Sequence, residues 1–216
     1  MTMRLNHVIW DWNGTLFDDV QVCIEAENTL LEKYGLKPIE SAEAYRRLFC
    51  FPVIDYYKKL GFDFTKYDFT AVADEYVALY EAACKKCGLQ RGAVQVLGAL
   101  KAMGVKQYIL SASSRESLKK QMEPFRLEGY FEAVLGIEDN LARSKVHLAQ
   151  KITAGINPHE ILMVGDTAHD YEVARELGCR CVLIPNGHHG RETLEKTGAV
   201  LLNELTELPD LIKKGL

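Results

Sequence analysis

The stretch that decides the fold is Val8-Ile9-Trp10-Asp11-Trp12-Asn13-Gly14-Thr15-Leu16. It begins as an apolar run, which is typical of a buried strand, and then changes into an aspartate, a turn dipeptide and a threonine. Ligands of open α/β sheets bind beyond the carboxyl ends of the strands, and Asp11 stands at such an end. The stretch therefore predicts a functional carboxylate, with Asn13 at a place where the matching chemistry favours a second acid.

Strand and helix patterns alternate through residues 92–208. Apolar runs predict strands over residues 105–110, 133–135, 161–164, 181–184 and 199–202, with amphipathic helices between them. Together with a strand over residues 7–11, this alternation predicts right-handed βαβ units and a parallel sheet. We expect an α/β fold, with a Rossmann-like parallel sheet core and helices on both of its faces.

Residues 18–88 differ, because apolar side chains recur there at helical spacing and no strand pattern intervenes. The three helical patterns end at Gly35, Gly61 and Gly88, in keeping with glycine at helix C-termini. We expect a core domain of residues 1–17 and 89–216 and an inserted helical cap domain of residues 18–88. An insertion at that place would cover Asp11 as a lid that excludes water and selects the substrate.

The composition is that of an ordinary globular protein of 216 residues, 48% hydrophobic and 26% charged. Its net charge of −4 argues against nucleic acid or a membrane surface as the main partner. No apolar run could span a bilayer and no signal-peptide pattern occurs, so we expect a cytoplasmic protein with reduced cysteines. Cys84 and Cys87 form a C-x-x-C, which we interpret as ordinary cysteine content because no second pair accompanies it. The sequence leaves the oligomeric state open.

Polar side chains follow four of the predicted strands. Asp11 follows the first, Ser111 the strand over 105–110, and Lys145 lies beyond the strand over 133–135. Asp166 and Asp170 follow the strand over 161–164, and such strand ends share one edge of a parallel sheet. Three carboxylates repel one another unless a cation lies among them, and hard oxygen ligands favour Mg²⁺. A lysine could neutralise phosphate charge, and a serine hydroxyl could bind phosphate oxygens. The set therefore indicates phosphoryl transfer with an aspartate as nucleophile.

Each of these residues also has a purely structural interpretation. Asn13-Gly14 is a common turn dipeptide, and Ser111 could cap a helix that begins near residue 114. Asp166 could cap the helix predicted over residues 168–177, and Lys145 could be an exposed charge. Four such groups in order, each at the end of a strand, favour the functional interpretation.

The chain resembles the haloacid dehalogenase-like (HAD) hydrolase superfamily. Residues 11–16 resemble its first motif, D-x-D-G-T-L, and residues 165–170 resemble its fourth. Ser111 matches the second motif and Lys145 the third, although both are weak signals alone. Residues 178–182 and 198–208 are similar to the phosphoglycolate phosphatase-like branch, and the resemblance spans the whole chain.

The resemblance implies a role for each site residue. Asp11 would attack phosphorus, and Mg²⁺ would bind Asp11, Asp166 and the backbone carbonyl of Asn13, with Asp170 supporting the metal. The resemblance further implies that the transferring phosphoryl group is held by Ser111, Ala112, Lys145 and Thr15. In the cap, residues 45–52 are the expected substrate-reading segment, with Arg46 and Arg47 binding the substrate; the alternative is a solvated helix end.

Asn13 departs from the family pattern, which has an aspartate there as general acid and base. An amide donates a hydrogen bond but relays no proton at neutral pH. General acid–base catalysis contributes roughly 10²–10⁴-fold to the rate, so we expect the rate of hydrolysis to fall more for alkyl phosphates than for aryl or acyl phosphates. His169, His188 and His189 are the alternative proton donors, and a substitution introduced by design would leave the same sequence.

The sequence therefore predicts a Mg²⁺-dependent phosphatase that acts on a small phosphomonoester, with phosphoglycolate as the default substrate by resemblance. The main alternative is a regulatory protein that binds a phosphate or phosphoprotein and turns it over poorly. A 2-haloacid dehalogenase is less favoured, because resemblance to such enzymes would put a tyrosine at position 13. A phosphonate hydrolase would need a cap lysine such as Lys58 or Lys59 as a Schiff base, and nothing near them indicates a lowered pKa.

Overall fold

A computed structural model describes residues 5–137 and 145–215 of the chain. In chain order the strands are β1 His7–Trp10, β2 Phe17–Asp18, β3 Gly88–Leu89, β4 Lys106–Ser114, β5 Ala133–Ile137, β6 Ile161–Gly165, β7 Arg180–Leu183 and β8 Val200–Leu201. The helices are α1 Val20–Lys33, α2 Ala42–Leu48, α3 Val53–Lys59, α4 Phe69–Ala83, α5 Ala93–Ala102, α6 Arg115–Met122, α7 Val146–Thr153, α8 Ala168–Leu177, α9 Arg191–Glu195 and α10 Leu208–Lys214.

Six strands form one parallel sheet in the order β5-β4-β1-β6-β7-β8. The chain builds outward from β1 in one direction through β4 and β5, and in the other through β6, β7 and β8. The order therefore reverses beside β1, and a crevice opens at the carboxyl ends of the strands at such a reversal. The predicted fold class is confirmed, and the topology puts the end of β1 at the centre of the crevice.

Strand β1 is buried because its residues pack on both faces of the sheet. Val8 and Trp10 belong to one apolar cluster, whereas Ile9 belongs to the cluster on the opposite face. Alternating side chains of a strand point to opposite faces, so a continuous apolar run satisfies both layers of helices. The Trp10 indole donates to Gln107 Oε1 at 3.0 Å, which gives its buried N–H a partner.

Helices α1 to α4 follow β1 and precede the rest of the sheet. The chain passes into and out of this helical segment through β2 and β3, an antiparallel pair that the sequence analysis did not predict. Helices α1 and α4 pack against each other, and α2 is an additional helix in the segment that was expected to be a loop. The division of the chain into core and cap domains at these crossings stays a prediction.

One predicted boundary was wrong in a way that affects the site, and the capping roles considered for Ser111 and Asp166 do not occur. Strand β4 continues to Ser114, so Ser111 lies inside the strand, and it is Ser114 whose hydroxyl caps α6. Helix α8 is capped by Thr167 in a reciprocal capping box with Asp170, which leaves Asp166 without a capping role. Among the helices of the described ranges, none combines the length and the apolar character needed to cross a membrane.

Candidate active site

Three aspartates meet one lysine at the carboxyl edge of the sheet. One carboxylate oxygen from each of Asp11, Asp166 and Asp170 lies within 4.8 Å of the other two. Lys145 Nζ contacts Asp11 Oδ1 and lies 2.8 Å from Asp170 Oδ1. All four side chains are buried, so these charges act on one another with little screening by water.

Backbone and side-chain hydrogen bonds fix the position of each carboxylate. Asp11 N donates to Val164 O at 2.8 Å, which extends the pairing of β1 with β6 by one residue. Asp166 Oδ1 accepts from Thr15 Oγ1 at 2.9 Å, and its Oδ2 accepts from His188 N at 2.6 Å. The side chain of Thr15 therefore lies behind the carboxylates and orients them.

Asp170 and Lys145 are held by the starts of their helices. Asp170 is in the first turn of α8, where its Oδ2 accepts from the backbone N–H and the hydroxyl of Thr167 at 3.0 and 2.7 Å. Its other oxygen is thus left for Lys145. Lys145 precedes α7 and also donates to Leu110 O at 3.2 Å, which holds the ammonium beside the β4 residue that precedes Ser111.

Burial and mutual repulsion perturb the protonation of this cluster. Burial raises the pKa of Asp11 above its usual range, with Lys145 opposing the shift. Burial and Asp170 raise the pKa of Asp166 to about 7. Burial works against ionised Asp170, but Lys145 and the hydrogen bonds from Thr167 together outweigh it and hold the pKa of Asp170 below its usual value. The raised pKa values follow because three ionised carboxylates would carry more negative charge than one lysine can neutralise.

The donor set fits a divalent cation such as Mg²⁺. With every group ionised, the three carboxylates and the ammonium leave two negative charges uncompensated, and the donors are the hard oxygens that Mg²⁺ prefers. A second trio, Asp19, Cys23 and His188, does not fit as well. Both carboxylate oxygens of Asp19 accept other hydrogen bonds, and burial and Asp19 raise the pKa of the Cys23 thiol.

Glycine is required at the turn after β1 because the backbone there approaches Asp166. Gly14 has a φ of 74°, and a Cβ at that residue would collide with the Asp166 carboxylate. Gly187, in the loop after β7, approaches the same carboxylate, and a Cβ at that residue would also collide with it. The close approach of both backbones explains how Asp166 becomes fully buried while keeping two hydrogen-bond donors.

The side chain of Asn13 lies in a hydrogen-bond network that suits both the N–H donors and the acceptor oxygen of an amide. Its Nδ2 donates to Asp19 Oδ2 at 2.7 Å and to Tyr80 OH at 2.8 Å. Its Oδ1 accepts from Ser113 Oγ at 2.7 Å and Ser111 Oγ at 3.3 Å. Asp19, a buried acceptor, faces the position where a second carboxylate would stand, so the surroundings of Asn13 favour a donor there.

The network continues away from the site through groups that are all satisfied. Tyr80 OH donates to Asp19 Oδ2 at 2.6 Å and accepts from Gln121 Nε2 at 3.2 Å. Gln121 in turn accepts from the Trp12 indole N–H at 2.9 Å. Each member therefore has a defined donor or acceptor role, and the amide of Asn13 cannot rotate without breaking several bonds.

A cavity of about 180 Å³ joins this cluster to the cap helices. This is many times the ~10–15 Å³ that one water molecule needs. At one end it is lined by Asp11, Asn13, Ser111, Ala112 and Lys145, all of them residues predicted for the site. At the other end it is lined mainly by aromatic side chains from α2 to α4 and the loop before α3.

The three histidines proposed as proton donors differ in position. His169 and His188 line the cavity, whereas His189 is not among the residues that line it. His189 Nδ1 accepts from Ala168 N at 3.0 Å, and burial lowers its pKa to about 4. His188 is bonded to Tyr45 OH at 2.8 Å and lies 3.7 Å from Asp19 Oδ1.

The predicted role of Arg46 and Arg47 is not supported by their positions. Arg46 donates to the carbonyl oxygens of Gly187 and Asn186 at 2.8 and 3.1 Å, which ties α2 to the loop after β7. Arg47 is exposed and pairs with Glu43 one helical turn away. Neither lines the cavity, because α2 turns Tyr45 inward and both arginines away from it.

Asp19 and Glu27 were missed by the sequence analysis although both line the cavity. Asp19 is the second acid of Asp18-Asp19, and it could have been noticed as an acid close to the first motif. Glu27 lies among the apolar positions of α1 and is 1% exposed, so helical spacing alone would have revealed it. A buried acid on an apolar helix face is informative because its burial needs compensation.

The chain belongs to the haloacid dehalogenase-like hydrolase family, whose model matches residues 8–184. It is 27% identical to the phosphoglycolate phosphatase of Chromobacterium violaceum, an alignment that covers 99% of this chain and all of that protein. It is 22% identical to the tyrosine-protein kinase PtkA of Mycobacterium tuberculosis, over 94% of this chain and 70% of that protein. A haloacid dehalogenase-like hydrolase from Streptococcus pneumoniae has the same fold, with a TM-score of 0.80 and 17% identity over 98% of this chain and 99% of that one.

Proposed function

We propose that the protein is a Mg²⁺-dependent phosphatase that hydrolyses a small phosphomonoester through an aspartyl-phosphate on Asp11. The observation that carries the proposal is the buried cluster of Asp11, Asp166 and Asp170 around Lys145, of which Asp11 and Lys145 line the cavity. The named activities of both curated relatives, a phosphatase and a protein kinase, handle phosphoryl groups. Phosphoryl transfer is therefore the chemistry that the site and the relatives share.

Asp11 supplies the nucleophilic oxygen, and its neighbours position it. Lys145 holds one carboxylate oxygen and Thr15 approaches the other at 3.3 Å, so the side chain cannot rotate freely. Lys145 faces the attacked phosphoryl group from the same side and neutralises part of its charge. Ser111 and Ala112 line the cavity on the β4 side. The Ser111 hydroxyl now lies 3.3 Å from Asn13 Oδ1, and it would turn from that oxygen to donate to a phosphoryl oxygen.

Asp11, Asp166 and the backbone carbonyl of Asn13 would hold the metal, with Asp170 fixing Lys145 and the turn that carries Asp166. Bound Mg²⁺ would supply neutralisation of the phosphoryl oxygens as charge develops on them. Asp166 is positioned for that role by Thr15 and His188 N, independently of the metal. Burial and Asp170 raise the pKa of Asp166 to about 7, so a bound cation would favour the ionised form of this carboxyl at neutral pH.

Asn13 restricts the leaving groups that the enzyme handles well. The departing oxygen of an alkyl phosphate needs a proton, and an amide bonded on all sides supplies none. The missing acid costs roughly 10²–10⁴-fold for such substrates. The aryloxide or carboxylate released from an aryl or acyl phosphate is a more stable anion and depends less on that proton. Water then attacks the phosphorus of the aspartyl-phosphate, which frees the Asp11 carboxylate and releases inorganic phosphate.

The second candidate is a protein that binds a phosphorylated ligand and turns it over poorly. The complete engagement of the Asn13 amide favours this alternative, since no carboxyl group occupies its position. Dehalogenation is less favoured, because three carboxylates around one lysine call for a metal rather than for an apolar halide pocket.

Steady-state turnover of aryl and alkyl phosphates, with Mg²⁺ and with a chelator, tests the proposal. We expect Mg²⁺-dependent hydrolysis of the aryl phosphate and slower hydrolysis of the alkyl phosphate. Asp11→Asn should abolish both, whereas Asp18→Asn, a change at an exposed acid nearby, should not. Phosphoglycolate belongs in the panel because the Chromobacterium violaceum relative is named for it. Mg²⁺ binding without turnover of any ester would favour the second candidate.

A further inference from the structure

The cap end of the cavity contains a buried acid with no evident partner. Glu27 lies on α1, is 1% exposed and lines the same cavity as Asp11. Its Oε1 has no hydrogen-bond partner within residues 5–137 and 145–215. Burial without compensation raises the pKa of this carboxyl to about 8. An uncompensated buried carboxyl is costly, so its presence beside a cavity indicates that a ligand supplies the missing partner.

A continuous belt of tyrosines surrounds this end of the cavity. The ring centroids of Tyr45 and Tyr56 are 6.0 Å apart, those of Tyr56 and Tyr57 5.7 Å, and those of Tyr57 and Tyr76 6.4 Å. Tyr80 continues the belt at 6.0 Å from Tyr76 and links it to Asn13. We call these five residues the tyrosine belt; all of them line the cavity.

The charged residues that line this end of the cavity favour a ligand group with a positive charge. Among the residues that line the cavity, Lys145 is the permanently cationic one in the described part of the chain, and it is paired with Asp11 and Asp170. An anionic tail would therefore meet Glu27 and electron-rich aromatic side chains, with no cation to pair with. A cationic tail would meet tyrosine rings and the Glu27 carboxyl, whose ionised form it would stabilise, and this combination binds ammonium groups in proteins.

We propose that Glu27 and the tyrosine belt form a subsite for an ammonium group, so that the substrate is the phosphate monoester of an amino alcohol. This assignment rests on the proposed phosphatase function for the phosphate end of the cavity. The phosphate would lie against Lys145 and the metal-binding carboxylates, and the ammonium would lie against Glu27. The same geometry argues against phosphoglycolate, whose second group is a carboxylate.

Binding of a matched pair of ligands tests the subsite without any turnover. Choline carries a quaternary ammonium, and 3,3-dimethylbutanol has the same shape with a neutral carbon in its place. Isothermal titration calorimetry at pH 9, above the pKa of about 8 of Glu27, should show at least about tenfold tighter binding of choline to the wild-type protein. Equal binding of the two, or tighter binding of the neutral alcohol, would overturn the proposal whether or not the protein proves to be a phosphatase.

Kinetics on the corresponding esters then tests the link to catalysis. We expect kcat/KM for phosphocholine to exceed that for 3,3-dimethylbutyl phosphate by about tenfold or more, and to exceed that for phosphoglycolate. If an aryl phosphate is hydrolysed but phosphoglycolate is preferred over phosphocholine, the subsite is refuted and the phosphatase proposal stands. If no ester is hydrolysed, the phosphatase proposal fails and the choline titration still decides the subsite.

Glu27→Gln assigns the selectivity to one side chain. The variant keeps the shape of the carboxyl and removes its charge, so the ratio of choline to 3,3-dimethylbutanol affinity should fall to within about threefold of unity. Glu32→Gln is the matched control, because Glu32 is exposed on the same helix and should leave the ratio unchanged. An unchanged ratio in a folded Glu27→Gln protein would contradict the role given to Glu27.

Discussion

Asn13→Asp restores the acid that the first motif usually carries, and in this structure the new carboxyl group would lie beside Asp19. The new carboxyl oxygen would replace Nδ2, which lies 2.7 Å from Asp19 Oδ2. Tyr80 offers no relief, because its hydroxyl proton is already donated to the same Asp19 oxygen. Two carboxyl groups so close together must share a proton, as like charges at that separation cannot both ionise.

The size of this effect follows from the separation. Each carboxylate charge is spread over two oxygens, so the two charge centres would be about 4 Å apart rather than at the 2.7 Å of the closest contact. At an effective dielectric of about 20, two unit charges at that separation repel by about 4 kcal/mol. At about 1.4 kcal/mol for each unit, that energy raises the pKa of the new aspartate from about 3.9 to about 7. An acid with a pKa near neutrality is well suited to protonate a leaving alkoxide. We therefore expect kcat for alkyl phosphates to rise roughly 10²–10³-fold, which lies within the usual range for one acid.

The pH profile of the variant separates this reasoning from a simple gain in activity. The gain on an alkyl phosphate should be largest near pH 6–7 and should fall above about pH 8, as the shared proton is lost. Adding Asp19→Asn removes the neighbouring charge and should move the profile to lower pH, whereas Asp18→Asn should leave it in place. An alkyl phosphatase rate that does not change in Asn13→Asp would refute the reasoning and show that another group supplies the proton.

Three further predictions concern stability and the metal. Because the pKa of Glu27 is about 8 when folded and near 4.5 when unfolded, the folded state holds an extra proton between these values and stability falls as pH rises through them. From pH 5.5 to 8 the share of this loss that comes from Glu27 should be about 3 kcal/mol in urea unfolding, and Glu27→Gln should remove that share. The raised pKa values of Asp11 and Asp166 add a further loss that the variant should keep. Saturating Mg²⁺ at about 100 times its Kd should stabilise the protein by about 2.7 kcal/mol, seen as a higher Tm, and Asp166→Asn should abolish that rise. Gly14→Ala should destabilise more than Gly35→Ala: both glycines have positive φ, but only the first would put a Cβ against Asp166. Equal losses at the two glycines would show that the close approach to Asp166 is unimportant.

The sheet could be predicted from the sequence because its strands are apolar on both faces. Runs such as Ile161–Gly165 pack against helices in two layers, and that burial leaves a continuous pattern in the sequence. The same logic put Asp11, Lys145, Asp166 and Asp170 together, since parallel strands end at a common edge. These residues converge because topology, rather than any detail of packing, decides where strand ends lie.

The cap end of the cavity could not be predicted in the same way. Its lining residues come from four helices, α1 to α4. The apolar spacing of these helices indicates only which face is inward, and not whether that face meets protein or a cavity. Arg46 and Arg47 looked suited to an anionic ligand, but α2 turns Tyr45 inward in their place. The pairing of Asn13 with Asp19 depends on a tight turn that residue spacing does not reveal.

The central claim is that Asp11 takes up the phosphoryl group, and acid quenching during turnover tests it most directly. With an aryl phosphate and Mg²⁺, mass spectrometry of the quenched protein should find a phosphoryl group on the peptide that contains Asp11. Hydroxylamine should remove it, as expected for an acyl phosphate, and the adduct should be absent in Asp11→Asn. Turnover at a normal rate in Asp11→Asn, or a stable phosphoryl group on a different residue, would contradict the account.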